Sequence, residues 1–284
     1  MPPIRVTRRD LLALGAALAA LNASPAAAQI LARRRLRLIP KEAHPWARFM
    51  PGAWRTVSTE TLVFSKDGKI VERTFSESTT EFVNNDPSNC HLKVETCTQI
   101  PGSEIVATPR EVTLPIDPEG DNEVKKLEDT VVTVAGKKHR VEVRQAKLTD
   151  KSGEKLMTVH LANDSAPHIL KRETKLLDSK SNDPVAVTRT EVVKLDVVRP
   201  VAGENRSTWE VRTIHEHPAG KVETTEYLCN EVPGEVVFQK SEEFDVNGRL
   251  TRRSTVELMD FGKDNVGRRH LFGRRERVKE RRSL

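Results

Sequence analysis

Aromatic side chains are scarce, at 4% of 284 residues, and tyrosine occurs once, at Tyr227. A shortage of flat stacking faces argues against a carbohydrate platform and against an aromatic-lined lipid tunnel. Cysteine is equally thin: Cys90, Cys97 and Cys229. The segment from His91 to Thr96 reads as a strand without a turn residue, which would hold Cys90 and Cys97 roughly 23 Å apart at ~3.3 Å per residue. A disulfide needs Cα atoms within about 7 Å, so either thiol pairs with Cys229 or all three are free. Catalytic signatures are missing as well: there is no Gly-x-Ser-x-Gly elbow, no Gly-Lys-Ser/Thr phosphate loop and no Cys-x-x-Cys. Asp260-Phe261-Gly262 matches a kinase tripeptide, but the glycine-rich loop and catalytic-loop aspartate that give it meaning are absent. The chain therefore reads as no enzyme, and no cofactor is expected.

What is present begins at the first residues. Thr7-Arg8-Arg9-Asp10-Leu11-Leu12 precedes an apolar stretch and Ala26-Ala27-Ala28. This resembles a twin-arginine export signal: paired arginines, a short hydrophobic run and a small-residue cleavage site, here between Ala28 and Gln29. The stretch Leu11–Ala23 is shorter than the roughly 20 residues a spanning helix needs. Arg33, Arg34, Arg35 and Arg37 follow at once, and positive charge in that place resists threading by the general secretory route. The resemblance implies the twin-arginine export machinery as a partner and a periplasmic or secreted protein without a transmembrane segment.

The whole chain has 37% hydrophobic and 31% charged residues, enough for a folded domain with modest core material. The net charge of +6 belongs to the ends. The tail carries Arg268, Arg269, Arg274, Arg275, Arg277, Lys279, Arg281 and Arg282, while the middle is mildly acidic. A solvated tail is the default reading, and contact with an anionic envelope polymer or lipid surface comes second. Nucleic acid is not an expected partner.

From Pro51 onward valine, threonine, glutamate and arginine dominate, in segments broken by turn signals. Asp67-Gly68 and Asn247-Gly248 are two-residue hairpin signals. Ala135-Gly136, Lys151-Ser152-Gly153, Ser181-Asn182-Asp183 and Pro218-Ala219-Gly220 punctuate similarly. The segment opening at Pro51-Gly52 resembles the one opening at Pro233-Gly234, and each runs into a strand, a turn and a return arm; His168–Leu177 with Val185–Val198 is a third, degenerate copy. The pattern predicts an all-β fold: an extended, curved antiparallel sheet or half-barrel meander of repeated hairpins. The expected divisions are a signal at 1–28, a leader at 29–50 with one short helix, the β domain at 51–262 and a basic tail at 263–284. In Val185–Val198 neither face is purely apolar, so wide solvated surfaces are expected. Trp54 and Trp209 read as residues that open strands and pack the sheet ends.

Two clusters merit weighing for metals. His215 and His217 lie on one side of a strand, a spacing two ligands could use, with a third ligand needed from elsewhere. Asp117, Glu119, Asp121 and Glu123 crowd one loop, but Gly120 is misplaced for an EF-hand, which leaves an acidic solvated turn. In hairpin order and compartment the chain resembles the periplasmic lipoprotein-carrier family, whose half-barrel sheet shields a lipid. The leading expectation is an exported non-enzymatic binding or cell-envelope structural module. The alternative, which the resemblance implies, is a carrier of a small apolar ligand or lipid on the concave face.

Overall fold

The computed structural model describes residues 36–264, apart from 101–102, 117–123, 151–152, 163–165, 179–180 and 182. The export motif, the cleavage site, the basic tail and the acidic turn lie outside the described residues. By backbone contacts the chain separates into Met1–Arg37 and Leu38–Leu284, and the fold below is that of the second.

Among the described residues a 3-10 turn, Lys41–Ala43, precedes fourteen strands: β1 Trp54–Phe64, β2 Ile70–Asn85, β3 Asn89–Ile100, β4 Ser103–Pro115, β5 Val124–Lys126, β6 Thr130–Val134, β7 Lys137–Asp150, β8 Gly153–Leu161, β9 Ile169–Leu177, β10 Pro184–Val201, β11 Glu204–His217, β12 Gly220–Leu228, β13 Val236–Asp245 and β14 Leu250–Gly262. Every pairing is antiparallel. The hairpin signals fall where the strands reverse: Gly68 at φ +73, Gly136 at +81 and Gly248 at +76, a region open to glycine and strained for other residues. Ala202-Gly203, with φ +49 and +92, turns β10 into β11. Trp209 consequently lies inside β11 rather than opening it.

The strand order is β4-β3-β2-β1-β14-β13-β12-β11-β10-β9-β8-β7-β5, with β6 paired to β7. It is a meander with one exception: the first and last strands pair in the middle, and the β4–β5 link joins the two edges. Laid flat, those edges would be roughly 58 Å apart at ~4.8 Å per strand. The link from Pro115 to Val124 can span at most about 32 Å. The sheet must therefore curl, and it does, into an open half-barrel.

Residues paired across strands project to the same side. One face carries a ladder of charges: Arg73–Glu60 at 2.6 Å, Arg253–Glu242 at 2.8 Å, Arg189–Glu216 at 2.7 Å and Arg212–Glu223 at 3.5 Å. Such exposed cross-strand pairs contribute about 0.2–1 kcal/mol each. This is the convex, solvated side. In β10 only Val192 and Val201 are buried, in keeping with its mixed faces.

The core is distributed in patches along the curl. Val134 and Val141 pack with Leu170, Val192, Trp209 and Val211. Leu38 sits among Ala146, Leu148, Val159 and Leu161 on β7 and β8. Trp46 and Ala47 pack with Phe82, Cys90, Leu92 and Ile116 toward the other edge. The segment from Leu38 to Trp46 thus straps the two walls together. On the convex face Trp54 lies against Gly262, where an added Cβ would meet the indole Nε1 at 2.5 Å; the glycine of the Asp-Phe-Gly tripeptide serves packing. No disulfide joins Cys90, Cys97 and Cys229.

Candidate functional site on the concave face

The second face carries a row of hydroxyls at one level. Thr74, Thr61, Ser254, Ser241, Thr224, Thr213 and Thr190 are consecutive cross-strand partners on β2, β1, β14, β13, β12, β11 and β10. Three pairs are hydrogen-bonded: Thr61–Ser254 at 3.1 Å, Thr224–Ser241 at 3.0 Å and Thr190–Thr213 at 3.0 Å. The row ends on β9 at Arg172, the direct partner of Thr190. One pleat closer to the strap, Val256, Gln239, Glu226, Val211 and Val192 form the next row.

Charges converge here from distant strands. Glu226 on β12 is electrostatically coupled to Arg172 on β9 and to Arg55 on β1, each three strands away in the sheet order. On a flat sheet three spacings would be about 14 Å; curvature brings the side chains together, which makes this the concave side. Burial raises the Glu226 carboxyl above its ordinary value, and the pull of Arg172 and Arg55 does not reverse it. Burial likewise lowers Arg172, and takes Arg55 down to about 10. Neither Arg172 nor Glu226 makes a hydrogen bond or ion pair within 4 Å with any described residue.

Below this pair the strap closes the end of the trough. Arg48 bonds Glu235 at 2.6 Å and the Asn230 carbonyl at 2.7 Å. Arg55 donates from Nη1 to the Gly234 carbonyl at 3.0 Å and lies 5.4 Å from the Trp46 ring centroid; its Nε is buried without a partner. Burial raises Glu235 as well, against the attraction of Arg48, His168 and Arg55. His44 is buried, and its Nδ1 accepts from the Trp46 and Ala47 amides at 3.2 and 3.1 Å. Burial, helped by Arg48, holds it below its ordinary value.

The two histidines read as possible metal ligands share the concave side of β11 with Thr213. Their ring centroids are 5.2 Å apart. His215 Nδ1 meets the Thr188 hydroxyl at 2.8 Å, and His217 Nδ1 accepts the Ala219 amide at 3.2 Å. No group of three His, Cys, Asp or Glu residues among the described residues is placed to hold a metal. No helix among the described residues is long and apolar enough to cross a membrane.

Arg55, Arg172 and Glu226 were not singled out by the sequence. Each lies in a strand that mixes charge and threonine, the same texture as the convex ladder. Only parity within each strand and register across the seven from β1 to β9 separate the inner charges from the outer.

An open antiparallel half-barrel with a strapped, charged trough is thus the class of protein that the fold and site define. No family model and no curated protein matches the sequence. Among solved structures it is similar to a candidate exported protein with YmcC-like fold from Bacteroides fragilis NCTC 9343, at 8% identity and a TM-score of 0.32, covering 75% of this chain and 98% of that one. A candidate lipoprotein from Parabacteroides distasonis ATCC 8503 matches at 9% identity and 0.32, covering 80% and 98%. Kievitone hydratase from Nectria haematococca matches at 9% identity and 0.18, covering 78% and 92%. Likeness at these values says nothing about function.

Proposed function

We propose that this protein is an exported, non-enzymatic binding module of the cell envelope, and that its binding surface is the concave face. The observation that carries this reading is the pair Arg172 and Glu226, half-buried in the trough and without a direct partner. Partnerless charges at partly buried positions are costly unless something else satisfies them, and a ligand or water held in the trough would do so. The twin-arginine signal supports export. Lysine at both Arg8 and Arg9 should then leave the precursor in the cytoplasm, and normal export of that variant would remove the address. The basic tail is proposed as an auxiliary contact to anionic envelope polymer or lipid; equal recovery from envelope fractions with and without residues 268–284 would discard it.

The test of the central reading is native mass spectrometry of the exported protein, gently released from its envelope. A discrete added mass that vanishes on denaturation is the expected result; a clean apo mass together with no envelope association overturns it. A second reading, carriage of an apolar ligand or lipid, draws support from the aliphatic row Val192, Val211 and Val256 beside the hydroxyls.

A further inference from the structure

We propose that Arg172, with the hydroxyls of Thr190 and Thr213, forms a site for the anionic group of a ligand, a phosphate or similar oxyanion, in the concave trough. The inference deepens the binding-module reading and rests on it. Its first support is donor placement. Arg172 directly opposes Thr190, which directly opposes Thr213. Opposed residues in antiparallel strands hold their Cβ atoms about 5 Å apart, so a guanidinium and two hydroxyls border one small patch. The two hydroxyls share one hydrogen bond of 3.0 Å, which leaves one O–H of the pair free to donate. The guanidinium offers its planar set of donors, a geometry that matches an oxyanion, and no described residue accepts from it.

The second support is the charge balance around the patch. Arg48, Arg55 and Arg172 face two carboxyls, Glu226 and Glu235, and Glu235 is committed to Arg48. Glu226 stands off Arg172 without a direct bond, and its raised proton affinity weakens it as a counter-charge. An incoming anion would take the place that Glu226 leaves open. The adjacent valines on β10, β11 and β14 could receive an apolar chain attached to that anion.

Calorimetric titration of the folded protein tests this with three probes: inorganic phosphate, a single-chain alkyl phosphate below its micelle concentration, and the alcohol of the same chain. Binding of the alkyl phosphate alone identifies the head of an amphiphile. Binding of both phosphates with similar affinity identifies a small free anion. Either supports the site, provided the alcohol does not compete. Arg172→Gln should weaken binding about tenfold or more, the loss expected for charge-assisted hydrogen bonds, and Arg172→Lys should retain part of it. Glu226→Gln should tighten binding by removing a rival for the guanidinium. A purely structural Arg172 would not make these two variants move affinity in opposite directions. No binding of either phosphate, equal binding of the alcohol, or Arg172→Gln without effect would each overturn the proposal. A neutral ligand co-purifying in the trough would sink the anion site while leaving the binding module standing.

Discussion

The Trp46 indole lies over the Arg55 guanidinium at 5.4 Å, and the same guanidinium holds the Gly234 carbonyl at 3.0 Å. Strap, first strand and the β12–β13 loop are thereby fastened at one point, and Gly234 donates its amide to the Pro45 carbonyl at 3.0 Å to complete the knot.

Gly234→Ala should break that knot. An added Cβ would lie 2.8 Å from both Arg55 Nη1 and the Trp46 ring, at a residue whose φ is +76. The expected loss is about 2–4 kcal/mol, combining overpacking with left-handed strain. Gly68→Ala, at φ +73 with nothing within 4 Å, should lose only about 1–2 kcal/mol. Urea midpoints of the two variants make the comparison.

Leu38→Ala should free the other end of the strap. Leu38 is fully buried among Ala146, Leu148, Val159 and Leu161, and large-to-small changes at such sites cost about 2–5 kcal/mol. Hydrogen exchange should accelerate in residues 38–48 before it does so in β11 to β14. Uniform acceleration would mean that the strap is not a separable unit.

Acid should loosen the strap through His44. Its Nδ1 must stay unprotonated to accept two amides, and its folded value lies below the ordinary 6.5. The stability this provides is fully present above pH 6.5 and is lost as pH falls through the folded value. His44→Asn, which keeps an acceptor without a titrating ring, should flatten the change in urea midpoint between pH 7.5 and pH 5. An unchanged slope would exclude His44 as its source.

Glu226 should act with the opposite sign. Its folded value is raised above the ordinary 4.5, so its contribution is fully present below pH 4.5 and is lost as pH rises through the folded value. Glu226→Gln should therefore gain on the parent protein between pH 4 and pH 8. A constant difference across that range would show that the carboxyl titrates normally in the folded protein.

Much of the architecture was legible from turn chemistry. Asp67-Gly68, Ala135-Gly136 and Asn247-Gly248 announce their reversals because only certain residues tolerate those backbone angles, and the valine and threonine runs between them set the strands. Ala202-Gly203 carries the same turn chemistry, and because it starts β11 at Glu204, Trp209 falls inside that strand rather than at its opening. The resemblance of the Pro51-Gly52 and Pro233-Gly234 segments was visible, but not that their hairpins lie side by side. That depends on β1 pairing with β14 across almost the whole chain, and local pattern carries no record of so distant a partner. The trough was hidden for the same reason: threonine and serine in seven separate strands become a row only when all the registers are known.

The union of β1 with β14 has a temporal consequence. Trp54 takes Gly262 as its partner, so a chain emerging from the ribosome makes one border of its central seam early and the matching border only after the strands between them. Until β14 is released, β1 offers an open edge, exposed to neighbours in the crowded cytosol. Closure of the seam therefore awaits the emergence of β14, and a helper that shields the waiting edge would raise the yield.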